Sequence, residues 1–193
     1  MNKKKIEQAI RIILKEIGED VNREGIQSTP IRIARLYESL FYGYTKKLVV
    51  MNEKERNTDI HNSDIIPITI FKSNSNDMLI RSSKFISHCE HHMAVFPGVA
   101  YIGIIPNKNL LGMNKIDKIV KYFAARLQIQ ERMTSQIADW IWNNIKPKGV
   151  ICIIRADHFC AKLQNDDGKF TTSAMRGCFK NTDTRMEFLN LIK

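Results

Sequence analysis

The spacing of apolar residues changes near residue 65, and this change limits the folds that the chain can adopt. Before it, apolar residues such as Ile6 and Ile10 recur every three or four positions, which predicts amphipathic helices. After it, the stretches IIPITIF and MLIRSSKFISHC have the short, β-branched character of strands, with turn residues at Asn74–Asp77. A helical region is therefore expected to precede a sheet.

The same patterns predict two helices, then the order β-β-α-α-β-β, and a closing helix. Strand pairs joined by tight turns predict an antiparallel sheet with helices on one face, which is the α+β class. Residues 1–50 are expected to form an N-terminal helical region and 51–64 an exposed polar connection. Residues 65–193 are then the domain that carries the site.

Capping and turn residues give local expectations. Gly18 is expected to end the first helix, and Thr29 to cap the second with Pro30 in its first turn. Gly98 and Gly103 are expected at β-bulges. The other predicted boundaries are Asn114 as the cap of the third helix, Glu131–Ile145 as the fourth, 165–168 as the turn before the last strand, and Thr184 as the first residue of a capping box.

Charge and composition narrow the function classes. The chain has no apolar run long enough to cross a bilayer, and its N-terminal pattern is amphipathic and unlike a signal peptide, so a cytoplasmic protein is expected. The formal net charge of +10 fits either a phosphorylated substrate or a generally lysine-rich composition. Its basic residues are scattered, which makes duplex nucleic acid a weaker alternative, and no membrane partner is expected.

Cysteine and histidine cluster at two points, Cys89-Glu90-His91-His92 and Asp157-His158-Phe159-Cys160. Cys89 and His92 have a spacing that zinc accepts, and Cys160 is the natural third ligand. Two thiolates and one imidazole would leave a fourth position for water, as in catalytic zinc sites, where zinc supplies hydroxide near neutral pH. A closed zinc site or plain buried thiols are weaker alternatives.

Other residues near these clusters have less specific readings. His91 and His158 suit proton transfer near pH 7, and support of the metal site is nearly as good an explanation of each. Glu131 either complements a helix dipole or accepts two N–H donors of a guanine edge. Cys152 and Cys178 are interpreted as packing residues, His88 as non-ligating, and the loop residue His61 as having no role. Without a glycine-rich phosphate loop, side chains would have to hold any nucleotide.

Several long blocks resemble the GTP cyclohydrolase I family in one order. They are EGIQSTPIRIARLYESLFYGY, SHCEHHMAVFPGVAYIGIIP, LLGMNKIDKIVKYFAARLQIQERMTSQIA, ADHFC and TTSAMRGCFKNTDTRMEFLNLI. The resemblance implies a T-fold, in which antiparallel sheets of several subunits join into a barrel, usually in a homodecamer with active sites between subunits. It also implies hydrolysis of GTP at C8, release of formate, and conversion to 7,8-dihydroneopterin triphosphate for folate or pterin synthesis.

The resemblance assigns a role to each site residue. Cys89, His92 and Cys160 match the zinc ligands, and His91 and His158 match catalytic histidines that act on the purine and around the ribose. Glu131, with Gln130 beside it, matches the guanine-recognising position, and Lys115 matches a triphosphate contact. The family's Ser-Lys-Ile-x-Arg is Asn114-Lys115-Ile116-Asp117-Lys118 here, and Gln164 stands where the family has an arginine. The phosphate contacts are therefore the part of the site that differs.

Three functions are compatible with this pattern. The first is a GTP cyclohydrolase I that tolerates the altered phosphate contacts. The second is a paralogue that hydrolyses the ring of another guanine nucleotide, and the third is a non-catalytic, nucleotide-binding regulatory relative. The full set of zinc ligands and both histidines argue against the third. The nitrile reductase of queuosine synthesis, another T-fold enzyme, does not need this zinc set, and no nucleic-acid partner is expected.

Overall fold

A computed structural model describes residues 1–52, 55 and 63–193, and its order of elements confirms the α+β class. The helices are α1 Lys3–Glu16, α2 Glu24–Gln27, α3 Thr29–Leu40, α4 Met113–Ala124, α5 Gln130–Ile145, α6 Phe159–Lys162 and α7 Thr182–Leu191, with 3-10 turns at Tyr42–Tyr44 and Cys178–Lys180. The strands are β1 Lys47–Met51, β2 Ile65–Lys72, β3 Leu79–Cys89, β4 Val95–Ile105, β5 Asn109–Leu111, β6 Leu127–Gln128, β7 Gly149–Asp157 and β8 Lys169–Gly177.

Among the described residues, the strands form two sheets. The larger has the order β6-β3-β4-β7-β8, with antiparallel pairing of β3, β4, β7 and β8, and the smaller has the order β1-β2-β5. The expected β2–β3 hairpin is therefore wrong, since Asn74–Asp77 joins two different sheets. The strand β1 was not predicted, and it pairs in parallel with β2. The backbone hydrogen-bonding groups of β2 pair with β1 and β5, which come from other parts of the chain. A local sequence pattern cannot reveal such partners.

The two faces of β7 pack against different helices. Val150, Cys152 and Ile154 lie in the large core with α4 and α5, whereas Ile151 and Ile153 lie in a second cluster with Phe188 of α7. The prediction of helices on one face therefore holds for α4 and α5, whereas α7 lies on the opposite face of the sheet. A strand that is buried on both faces has a continuous apolar sequence, so the second layer is not visible in its pattern.

The structure confirms one helix boundary and corrects three others. Gly18 follows α1 with a φ of +88°. The residue before α3 is Ser28 and not Thr29, because α2 ends directly before Ser28. Thr29 is therefore the first residue of α3. The cap of α4 is Gly112, so Asn114 lies within the first turn. The cap of α7 is Asn181, whose side chain accepts the backbone N–H of Asp183, and Thr184 lies inside the helix.

Gly98 and Gly103 do not form bulges, since β4 pairs without interruption with both β3 and β7. Their lack of a side chain serves packing. A Cβ at Gly103 would lie 2.6 Å from Cδ2 of Phe188 and 2.8 Å from Cγ2 of Ile151. A Cβ at Gly98 would lie 2.7 Å from that of Ala156. The glycine at 103 is what lets α7 approach the sheet.

Replacing Gly103 by alanine is expected to lower the free energy of unfolding by about 1–3 kcal/mol, because Phe188 is fully buried and cannot move aside without disturbing its neighbours. Urea unfolding measures the change. In the background Phe188→Leu, the added methyl group has more room, so the cost of the alanine is expected to shrink. An equal cost in both backgrounds would show that the clash with Phe188 is not the cause.

The expected exposed connection at 51–64 lies largely outside the described residues, and His61 lies outside them as well. At its edges, Met51 is buried at the end of β1, and the backbone N–H of Lys47 donates to the carbonyl oxygen of Asp64 at 2.7 Å. Within the described part of the chain, none of the helices combines the length and apolar character needed to cross a membrane.

Candidate metal and active site

A tight turn at the end of β3 brings the first two predicted ligands together. The backbone N–H of Cys89 donates to the carbonyl of Ala94, and that of Met93 donates to the carbonyl of Cys89, both at 2.8 Å. Met93 has a φ of 55°, which reverses the chain within a few residues. Sγ of Cys89 consequently lies 3.8 Å from Nδ1 of His92.

The third predicted ligand comes from the far end of β7. The strand ends at Asp157, and the short helix α6 starts directly afterwards, which places Cys160 beside the turn that follows β3. The ligand atoms of Cys89, His92 and Cys160 all lie within 4.8 Å of one another. The sequence prediction that these three residues form one cluster is confirmed.

The cluster fits a tetrahedral zinc ion. Bonds of about 2.3 Å to sulfur and about 2.0–2.1 Å to nitrogen give ligand separations of about 3.6–3.8 Å, which the pair Cys89 and His92 already has. Burial, together with the hydrogen bond and charge of Cys89, raises the pKa of the Cys160 thiol. Two thiols held this close are difficult to ionise together unless a cation lies between them, so the site favours a metal with thiolate affinity.

His158 lies beside the cluster in an aromatic environment. Its ring stacks on Phe96 at 4.5 Å between centroids and meets Phe170 edge-on at 5.1 Å. Burial lowers the pKa of His158, although the carboxylates of Glu131 and Asp157 oppose the shift. The imidazole is therefore mainly neutral near pH 7 and able to accept a proton.

The side chain of Gln130 is buried and faces His158. It is 2% exposed, and its Oε1 lies 2.8 Å from Nε2 of His158. Glu131, the next residue, is exposed at the start of α5. Contact with guanine stays a prediction for both residues, and of the two only Glu131 has an exposed side chain in this chain.

The turn between β3 and β4 is also held by contacts that the sequence pattern did not predict. Arg132 forms an ion pair with Glu90, and its Nε donates to Oε1 of Gln128. The backbone N–H of Glu90 donates to the carbonyl of Gln128. His91 and His92 are exposed on this turn, with ring centroids 6.1 Å apart. The start of α5 therefore contacts both Cys-His segments, through Arg132 to Glu90 and through Gln130 to His158.

The predicted phosphate contacts lie on two different elements, α4 and the turn after α6. The fifth residue of α4, Asp117, pairs with Arg81 of β3 at 2.7 Å, and the helix ends near Ser87, whose hydroxyl donates to the carbonyl of Ala124. Asn114, Lys115 and Lys118 lie in the first half of α4, away from the end that meets Ser87. Gln164 is exposed in the turn after α6.

Comparison with known proteins decides the family. The model of the family described as GTP cyclohydrolase I matches residues 6–193. The chain belongs to the GTP cyclohydrolase I family. It is 42% identical over 194 residues to GTP cyclohydrolase 1 of Campylobacter jejuni (strain RM1221), covering 98% of this chain and 95% of that protein. It is 40% identical over 197 residues to GTP cyclohydrolase 1 of Aquifex aeolicus (strain VF5), covering 100% of this chain and 98% of that protein.

The match to the GTP cyclohydrolase I family includes the metal cluster, the N-terminal helices and both ends of β3, so family membership holds for the whole fold. A solved structure, the archaeosine synthase QueF-Like in the apo form, aligns with 53% of this chain and 96% of its own, at 14% identity and a TM-score of 0.47. The family assignment rests on the full-length matches and not on this partial likeness.

Proposed function

We propose that the protein is a zinc-dependent GTP cyclohydrolase I. The reaction opens the imidazole ring of GTP by hydrolysis at C8, releases formate and leads to 7,8-dihydroneopterin triphosphate, and the product places the enzyme in folate or pterin synthesis. The observation that carries the proposal is the group of Cys89, His92 and Cys160, which leaves one tetrahedral position for a reactant beside His158. The match of the family model to residues 6–193 also supports the proposal.

Cys89, His92 and Cys160 would hold the zinc ion, which when bound acts as a Lewis acid and supplies hydroxide near neutral pH. The exposed His91 next to the ligand His92 is positioned to protonate the purine as water adds at C8. Glu131, exposed at the start of α5, would accept N–H donors of the guanine edge. These roles follow the family resemblance, and the exposure of both side chains is compatible with them.

His158 is suited to the later proton transfers around the ribose. Its stacking on Phe96 and its contact with Phe170 keep water from one side of the ring. Because burial keeps the pKa of His158 below its usual value, the ring is neutral when the reaction begins and can accept a proton before returning it.

The family resemblance and the unpaired edge of β8 support an active site shared between copies of the chain. Asn114, Lys115 and Lys118 lie in the first half of α4, away from the end that meets Ser87. We infer that α4 of a neighbouring copy supplies these lysines and Asn114. The strand β8 ends its sheet, and among the described residues it pairs with β7 alone, so its other edge is available for a second copy. A homodecameric T-fold barrel would satisfy both requirements. A cytoplasmic location suits this proposal, and neither a membrane nor a nucleic-acid partner is needed.

Replacing Gln164 by arginine is expected to lower KM for GTP by about tenfold, since one charge-assisted contact with the triphosphate is worth roughly 1.5–3 kcal/mol. Gln164 stands four residues after Cys160 in an exposed turn, so a longer side chain has room there. Steady-state kinetics with GTP measure the change, and KM for GMP is expected to stay constant because that nucleotide lacks the outer phosphates. A matched exchange at the neighbouring exposed residue, Leu163→Arg, controls for added charge. Equal effects of both variants would contradict a specific contact.

The zinc-loaded protein is to be offered GTP, GDP and GMP separately, with formate release and pterin fluorescence after oxidation as readouts. Formation of formate and dihydroneopterin triphosphate from GTP supports the proposal. Preference for a nucleotide with fewer phosphates would support the paralogue, which the loss of an arginine at Gln164 specifically favours. Absence of formate from all three while zinc is bound would overturn the enzymatic proposal in favour of a regulatory, nucleotide-binding protein.

A further inference from the structure

Gln130 is the first residue of α5, and its side chain points inward between β7 and β8. Its Nε2 lies 3.1 Å from the carbonyl oxygen of Ile154, 3.3 Å from that of Phe170 and 3.1 Å from Oγ1 of Thr172. Its Oε1 lies 2.8 Å from Nε2 of His158. With 2% of its surface exposed, the side chain has no free edge for a base of a nucleotide.

The orientation of this amide is determined by its neighbours. Carbonyl oxygens only accept hydrogen bonds, so the nitrogen of the amide must face Ile154 and Phe170. If the amide were flipped, its oxygen would lie against both carbonyls without a proton between them, which is unfavourable in a buried site. The oxygen of Gln130 is therefore the atom that faces His158.

Two threonines extend the same argument. The hydroxyl of Thr134 donates its proton to the backbone carbonyl of Gln130 at 2.7 Å. The hydroxyl of Thr172, 2.6 Å from that of Thr134, must then donate to Thr134, because Thr134 has no second proton. Thr172 is left with lone pairs toward Nε2 of Gln130, where it accepts an N–H. The two protons of Nε2 serve three acceptors, so one proton is shared between two of them, and the amide oxygen still faces His158.

We propose that Gln130 is a positioning residue that holds the proton of His158 on Nε2. An amide oxygen can only accept, so the nitrogen that faces it must carry hydrogen, and a neutral ring then has its lone pair on Nδ1. This tautomer leaves Nδ1 as the only ring nitrogen that can accept a hydrogen bond. The stacking on Phe96 prevents the ring from rotating away from Gln130. This inference rests on the proposed function only where it concerns catalysis.

The inference replaces a contact with guanine that the family position suggested for this side chain. A residue that binds the base would act on KM, whereas a residue that sets the tautomer of a catalytic histidine acts on kcat. The protonation of the ring can also be measured without any substrate. The two roles are therefore separable by experiment.

The test uses zinc-loaded protein labelled with ¹⁵N-histidine and magic-angle-spinning NMR, which distinguishes protonated from unprotonated ring nitrogens in large particles. The chain has five histidines, and the spectrum of His158→Asn identifies the signals of His158 by difference. The test variant is Gln130→Met, which cannot accept the ring proton. Gln128→Met is the control, since Gln128 is equally buried but donates to Phe123.

The expected result is a neutral His158 with its proton on Nε2 in the wild type and in Gln128→Met. In Gln130→Met, a population with the proton on Nδ1 should appear, and kcat for GTP should fall by about 10- to 100-fold with KM changed by less than about twofold. If Gln128→Met loses as much thermal stability as Gln130→Met, lost stability does not explain the lower kcat and the changed tautomer of Gln130→Met.

Three outcomes would overturn the inference. The first is a wild-type His158 with its proton on Nδ1, which needs no variant to fold. The second is an unchanged spectrum of His158 in Gln130→Met. The third is a rise in KM at constant kcat, which would return Gln130 to substrate binding. If no variant, nor the wild type, turns over GTP while the tautomer still depends on residue 130, the positioning assignment stands and the proposed function fails.

Discussion

Cys160→Ser is expected to remove zinc from the purified protein and to lower the rate of formate release by at least about 10³-fold. Cys160 is the proposed ligand from the β7 side of the cluster, so its loss leaves Cys89 and His92 on a single turn. A serine hydroxyl remains protonated near neutral pH and is a poor zinc ligand, whereas a thiol ionises on binding. Without zinc, no source of hydroxide near neutral pH is left in the site.

The measurements are metal content by mass spectrometry and formate release from GTP. Cys178→Ser is the matched control, because Cys178 is a half-buried free thiol in the 3-10 turn after β8 and lies in the second core cluster. This variant should retain zinc and activity. Full zinc occupancy in Cys160→Ser, or loss of zinc in both variants, would contradict the assignment of the ligands.

Gly177→Ala is expected to cost at least about 3 kcal/mol of stability, the largest effect that a single methyl group should have here. Gly177 ends β8 with φ 62° and ψ −136°, a conformation that residues with a side chain avoid. A Cβ there would lie 2.2 Å from the carbonyl oxygen of Lys148 and 2.7 Å from Cζ3 of Trp142. The backbone strain and the steric overlap therefore both destabilise the variant at this one position. For a domain of this size, a loss of about 3 kcal/mol lowers Tm by roughly 6–12 °C.

Gly18→Ala separates the two contributions to this cost. Gly18 also has a positive φ, +88°, but a Cβ there meets no atom within 4 Å. It should cost only the conformational strain, about 1–2 kcal/mol. Urea unfolding of both variants measures the difference, and equal losses would show that contact with Lys148 and Trp142 has no influence. Since Gly177 directs the chain to α7, its variant should also weaken the packing of Phe188 against the sheet.

The metal cluster could be predicted from the sequence because its chemistry is local. Cys89 and His92 lie on one tight turn, and few residue types bind zinc, so their spacing is informative without a fold. Cys160 was predicted from its place in a second Cys-His patch and from the family resemblance, and the structure confirms that it lies beside Cys89 and His92. The helices and the main antiparallel strands were predictable for a similar reason, since the period of apolar residues reflects the nearest layer of packing.

The neighbours of His158 could not be predicted in this way. Gln130 looked like a substrate contact because its neighbour Glu131 matches a guanine-recognising position. Whether a glutamine at a helix start points inward or outward depends on the angle at which α5 crosses β7 and β8. That angle results from the packing of the whole large core. The buried carbonyl of Ile154 and the hydroxyl of Thr172 then decide how the amide is used.

The sequence by itself determined the α+β class, the three candidate metal ligands and the family, since each depends on residue types and their pattern. The tertiary structure alone decided that β2 belongs to a different sheet from β3, that α7 covers the opposite face, and that Gln130 faces His158. These features depend on contacts between residues distant in the chain, whose free energy no local pattern records.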